Sequence, residues 1–128
     1  YSESMLYSGS EDNLIKVWDL RRLQCHGSLL GHGGRVYALA MAGGNTLYSG
    51  AWDETIRVWD VRQQIGEKCL QASWVWSLAM SQGYLCAGAW DDNVQVWDTK
   101  THTCLGRLAG HTSAVQAVVD WQGQLCSG

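Results

Sequence analysis

The segment LYSGAWDETIRVWD at residues 47–60 returns as LYSGSEDNLIKVWD at 6–19 and LCAGAWDDNVQVWD at 85–98, and the chain closes on a fourth start, LCSG, at 125–128. The pairs Trp18-Asp19, Trp59-Asp60 and Trp97-Asp98 are separated by 41 and 38 residues, and the starts at Leu6, Leu47, Leu85 and Leu125 by 41, 38 and 40. A period of about 40 restricts the chain to an array of like units, none of which can bury a core alone.

Within each period the signals are short and β-like. VYALAM (36–41), TLYSGA (46–51), IRVWD (56–60) and a weaker segment around CHGSLL (25–30) are separated by Gly, Asn and Asp clusters. Four short strands per period predict one four-stranded sheet per repeat. In IRVWD, Ile56 and Val58 fall on one face and Trp59 on the other, so both faces are apolar and each sheet needs a neighbour on either side. No helical periodicity competes.

The 128 residues are 46% hydrophobic and carry a net charge of −3 without a block of like charge. That balance gives no electrostatic footprint for nucleic acid or an anionic membrane, and neither is expected as a partner. No apolar run approaches the ~20 residues that span a bilayer, and no signal peptide is visible. Cys25, Cys69, Cys86, Cys104 and Cys126 are odd in number, scattered, and set in apolar segments. They are expected to be reduced core residues, which points to an intracellular setting, cytoplasmic or nuclear. A start on Tyr1 and an end inside a repeat read as an excerpt of a longer chain.

The recurring motifs carry a family resemblance. Gly31-His32 and Gly110-His111 precede innermost strands, Ser49, Gly50 and Asp53 make an S-G-x-x-D turn, and V-W-D closes each copy. On these residues, over essentially its whole length, the chain resembles the WD-repeat (WD40) β-propellers. The resemblance implies an all-β propeller segment of four-stranded antiparallel blades, with each sequence repeat offset by one strand from each blade. Residues 1–128 then form a single segment: a partial blade at 1–35, blades at 36–73 and 75–110, and a partial blade at 114–128. Thirteen strands leave the ring incomplete, with open edges. Further blades, from a parent chain or from another copy, are needed for closure; two copies make six blades only if one duplicated LYSG/LCSG strand is expelled.

His32, Ser49 and Asp53 have the residue types of a catalytic triad. The resemblance assigns them with Trp59 to a buried structural network instead. The indole N–H of Trp59 requires an acceptor, which Ser49 can supply, and His32 can bridge to Asp53. Asp12, Trp18, Asp91, Trp97 and His111 are the matching residues of the other copies, but Ala87 stands where the third copy would have Ser, and the preceding loop lacks His. No C-x-x-C or H-x-x-x-H pair exists, His26 and His102 fall in or beside outer-strand turns, and neither metal nor cofactor is expected.

Of the eight Trp, the repeat accounts for Trp18, Trp59 and Trp97, and Trp121 lies near a turn between two inner strands. Trp52, Trp74, Trp76 and Trp90 remain; the resemblance places them, with Arg35, Tyr37 and Glu11, on a top face that commonly holds partner peptides. A Trp-rich patch flanked by Arg and Tyr has the composition of an interaction hot spot. The reading is a non-enzymatic scaffold for peptide or protein partners. The turn style is also similar to WD domains of ubiquitin ligases, which would make the chain a substrate receptor. The alternatives are a methylated-lysine reader, with the Trp rings and the Glu54 and Asp92 carboxylates forming a cage, and the non-catalytic part of a larger enzyme.

Overall fold

The computed structural model describes residues 4–128. Each β-like run between turn residues becomes a strand, and consecutive strands within each sheet pair antiparallel. The first sheet holds β1 (Met5–Gly9), β2 (Ile15–Asp19) and β3 (Gln24–Leu29). The second holds β4 (Val36–Met41), β5 (Thr46–Ala51), β6 (Thr55–Asp60) and β7 (Ile65–Gln71). The third holds β8 (Val75–Ser81), β9 (Tyr84–Ala89), β10 (Val94–Asp98) and β11 (Cys104–Leu108). The fourth pairs β12 (Val118–Trp121) with β13 (Gln124–Ser127). The described residues are all-β, in sheets of three, four, four and two strands with no closed ring.

The turns follow from side chains that replace missing backbone partners. Asp19, Asp60 and Asp98, each directly after the repeat Trp, accept backbone N–H bonds from residues two and three further on, at 2.7–3.2 Å. This is why the copies close on Asp: its carboxylate caps the turn into the outer strand. At Asp19 and Asp98 those backbone N–H groups hold the carboxyl below its ordinary value. The earlier turn aspartates Asp12, Asp53 and Asp91 also accept from the backbone N–H two residues on. There Asn13, Glu54 and Asp92 take φ values of 71°, 62° and 65°.

Both faces of the inner sheets are covered. Leu47, Ala51 and Trp59 of the second sheet pack against Ile15, Val17 and Leu29 of the first. Tyr48, Ile56 and Val58, on its other face, pack against Val75, Leu78, Leu85 and Trp97 of the third. Cys86 and Val94 carry the core onward to Val115 and Val118. At the ends the covering stops: Leu6 in β1 and Val119 and Trp121 in β12 are exposed.

The cysteines correct the expectation of a reduced core set. All five are free, but only Cys86 is buried, and burial pushes its thiol pKa up. Cys25, Cys69 and Cys104 lie on the outer strands β3, β7 and β11, whose residues are mostly exposed. Cys126 occupies the place of Tyr48 and Cys86, but is exposed on β13.

Close approach between sheets depends on the Gly of each repeat start. A Cβ on Gly9 would lie 3.1 Å from the carbonyl oxygen of Val36, one on Gly50 2.7 Å from Cβ of Val75, and one on Gly88 2.8 Å from the carbonyl oxygen of Val115. Each Gly therefore seats the innermost strand, or the segment leading into it, of the following sheet. Gly50→Ala is expected to force the second and third sheets apart and lower stability by about 1–3 kcal/mol; thermal unfolding followed by circular dichroism checks it.

Candidate functional site

Two constellations bear on function. The first joins the loop before β4 to the β5–β6 turn. His32 Nδ1 lies 2.7 Å from Asp53 Oδ2, and Nε2 lies 2.6 Å from Ser49 Oγ. Trp59 Nε1 donates to the same Ser49 Oγ at 2.7 Å. The donors and acceptors close with a single tautomer: His32 Nδ1–H donates to Asp53, the Ser49 hydroxyl donates to His32 Nε2, and its oxygen accepts from the indole. Thr55, which sequence reasoning missed, donates from both its hydroxyl and its backbone N–H to Asp53 Oδ1, at 2.6 and 3.0 Å. The signal was present as a hydroxyl residue two places after the turn aspartate.

This geometry has the Asp-His-Ser order of a hydrolytic triad, yet Ser49 is 0% exposed and its oxygen is taken by an indole. A substrate carbonyl cannot reach it, so the set ties turn to strand. Burial lowers the pKa of His32 from its ordinary 6.5, opposed by Asp53. Burial pushes the Asp53 carboxyl up, but hydrogen bonds from Thr55, His32 and Gly33 outweigh that and hold it below 3.8.

The other copies keep only parts of this set. Trp18 donates to Ser8 at 2.7 Å, while Asp12 serves its own turn. His111 Nε2 lies 2.8 Å from Ser127 Oγ in exposed surroundings. In the third sheet, with Ala87 in the Ser position, the buried Trp97 Nε1 has no acceptor and the buried Gln95 Oε1 no donor among the described residues. Asp91 does not complete a network there; it pairs with Arg107 at 3.2 Å. His26 is exposed on β3, and His102 reaches across to the Tyr48 hydroxyl at 3.2 Å. Among the described residues no group of three or more His, Cys, Asp or Glu is placed to hold a metal ion.

The second constellation is aromatic and spans the second and third sheets. Trp52 and Trp74 stack with centroids 5.6 Å apart, and Trp76 meets Trp52 edge-on at 5.3 Å. Tyr37 lies 5.0 Å from Trp52 and 5.3 Å from Trp76; Trp90 lies 5.7 Å from Trp74 and 6.3 Å from Trp76. Equivalent irregularities of the innermost strands place two of these rings. The register skips Tyr37 between Val36 and Ala38, and Trp76 between Val75 and Ser77. Such bulges re-aim a side chain. Backbone bonds from Trp52 N to the Arg35 carbonyl (2.9 Å) and from Trp90 N to the Trp74 carbonyl (3.0 Å) fix the remaining positions.

Glu11 extends the patch onto the first sheet. It pairs with Arg35 at 3.6 Å and accepts from the Tyr37 hydroxyl at 3.3 Å. The Arg35 guanidinium lies 5.8 Å from the Trp52 ring centroid, in cation–π range. The rings meet at packed-pair spacing and form a continuous surface. Trp74 and Trp90 are 37% and 53% exposed, whereas the indole N–H groups of Trp52 and Trp76 are hidden and unpartnered.

Against known protein families, the chain matches WD40 (WD domain, G-beta repeat) over residues 1–19, 23–60 and 67–98. The chain belongs to the WD40 repeat family. A comparison with curated proteins gives no significant match. The second WD40 match begins in the turn into the outer strand β3 and the third on the outer strand β7, and each ends on the third strand of the next sheet. The sequence repeat is thus displaced by one strand from the sheet it mostly builds. WD40 repeats are generally non-catalytic and serve as protein-interaction scaffolds.

Two outcomes test the network. His32 and Asp53 bind protons less readily folded than unfolded, so their contribution is present at neutral pH and lost on acidification, through the range below 6.5 for His32 and below 3.8 for Asp53. His32→Ala is expected to cost about 1–3 kcal/mol at pH 7 and to flatten the fall in melting temperature between pH 7 and pH 5. Ala87→Ser, with Trp97 Nε1 as donor and Gln95 Oε1 as acceptor, is expected to add about 1 kcal/mol, read as a rise in melting temperature.

Proposed function

We propose that this chain is a non-enzymatic scaffold that holds peptide or protein partners on the surface formed by Arg35, Tyr37, Trp52, Trp74, Trp76 and Trp90. The observation that carries the reading is a continuous patch of five aromatic rings from two neighbouring sheets, with two of its Trp rings open to solvent. Clustered Trp and Tyr beside an Arg supply large contact area at low entropic cost, the make-up of interface hot spots. Ring packing, and an internal cation already over Trp52, favour a flat docking surface over a cage for a methylated lysine. An intracellular setting belongs to the same proposal, supported by five free thiols.

The double variant Trp74→Ala, Trp90→Ala tests this, because both side chains are partly exposed and their loss spares the sheet cores. Affinity purification followed by mass spectrometry is expected to recover a reproducible set of partners with the unaltered chain. With the variant that set is expected to fall at least about tenfold, at an unchanged melting temperature. Recovery at full yield with the variant would overturn the reading.

A further inference from the structure

The aromatic surface already holds one guanidinium of the chain's own. Arg35 lies 5.8 Å from the Trp52 ring centroid and 3.6 Å from Glu11, so a flat cation sits between an indole and a carboxylate of the β1–β2 turn. Sequence position shows where this arrangement stops. Val36, Val75 and Val115 are each seated on the glycine of the preceding sheet. Arg35, Trp74 and Ala114 stand one residue before these valines, and Tyr37, Trp76 and Gln116 one residue after. Trp52 is therefore covered by the rings of Trp74 and Trp76. Trp90, its counterpart in the third sheet, touches the same two rings on one side but has only Ala114 and Gln116 at the matching places on the other. The segment carrying them is in position, with Val115 N donating to the Ala89 carbonyl at 3.0 Å, and Trp90 is still 53% exposed. Its open face comes from the residue types at 114 and 116.

The uncommitted charge bordering this surface has one sign. Arg35 and Glu11 satisfy each other, Arg107 pairs with Asp91, and Asp53 is taken by His32. Glu54 and Asp92 hold the same place in the β5–β6 and β9–β10 turns, two residues after Trp52 and Trp90. Neither side chain has an ion pair or hydrogen bond among the described residues. The Glu54 carbonyl accepts from Ala72 N at 2.8 Å, which fixes its turn against the segment leading to Trp74. The exposed cations Arg21, Arg22, Arg62 and Lys100 lie in turns at the opposite end of the sheets and cannot neutralise these carboxylates. Free carboxylates beside open indole faces repel anionic ligands and attract a cation.

We propose that this surface selects arginine: a peptide segment of the partner lays a guanidinium flat on the open face of Trp90 and pairs it with Asp92, while Glu54 attracts further positive charge beside Trp74. The inference rests on the reading of the surface as a partner site and adds the chemistry of the partner. The contact of Arg35 with Trp52 and Glu11 is its internal precedent. A planar guanidinium both stacks on an exposed ring and offers paired donors to a carboxylate, which the compact ammonium of Lys does not.

The test pans a random-peptide library displayed on phage against the whole chain. The selected peptides are expected to share an Arg. In fluorescence anisotropy with a dye-labelled selected peptide, replacing that Arg by its neutral isostere citrulline should weaken binding at least about tenfold, as loss of a cation–π contact and its ion pair implies. Glu54→Gln with Asp92→Asn should bring a similar loss at an unchanged melting temperature, and Trp74→Ala with Trp90→Ala should abolish binding. Selected peptides without a shared Arg, or full affinity after either the citrulline or the Glu54→Gln, Asp92→Asn replacement, would overturn the arginine assignment; the partner surface itself stands if binding still requires Trp74 and Trp90. Failure to select any peptide, or binding that survives loss of both Trp, would overturn the two together.

Discussion

The structure depends on one constraint: a four-stranded sheet with apolar side chains on both faces must be covered on both. In the second sheet, Trp59 and Leu47 face one neighbour while Tyr48, Ile56 and Val58 face the other. Nothing within the sheet could satisfy either set, because period-two alternation sends them to opposite sides. The contact distance between sheets is set by the glycine that begins each copy, where a methyl group would strike the next sheet's entry strand or the segment leading into it. Repeat length, strand order and glycine placement are therefore expressions of the same packing requirement.

Polar chemistry serves this packing. The Asp53–His32–Ser49–Trp59 chain satisfies each buried donor with one acceptor and ties a loop, a turn and two strands together. Its resemblance to a hydrolytic triad ends at the indole, which turns the serine oxygen into an acceptor inside the core. Where Ala87 removes that oxygen, the indole of Trp97 and the amide oxygen of Gln95 are both left without partners. The third sheet keeps its fold through apolar contacts and an Arg107–Asp91 pair nearer the surface.

Strand positions, the two-faced packing and the His-Ser-Asp-Trp set were legible in the sequence because each rests on local periodicity or on a motif that recurs in register. The cysteines were not. Apolar neighbours in sequence suggested burial, but Cys25, Cys69 and Cys104 lie on outer strands, and Cys126 is exposed on β13. Thr55 was overlooked, although a hydroxyl residue two places after the turn aspartate was there to be read. The aromatic residues could be named from their surplus over the repeat. The register irregularities that turn Tyr37 and Trp76 into the patch, and the pair Arg35 makes with Glu11, appear only in three dimensions.

The account ranks the sheets by how completely neighbours cover them, and native-state hydrogen–deuterium exchange resolved by strand measures that ranking directly. It predicts the slowest exchange in β5, β6, β9 and β10, the central strands of the two sheets covered on both faces, and fast exchange in β1, β12 and β13. Protection that is uniform along the chain, or greatest in β12 and β13, would contradict the claim that covering both faces of each sheet is what holds this fold together.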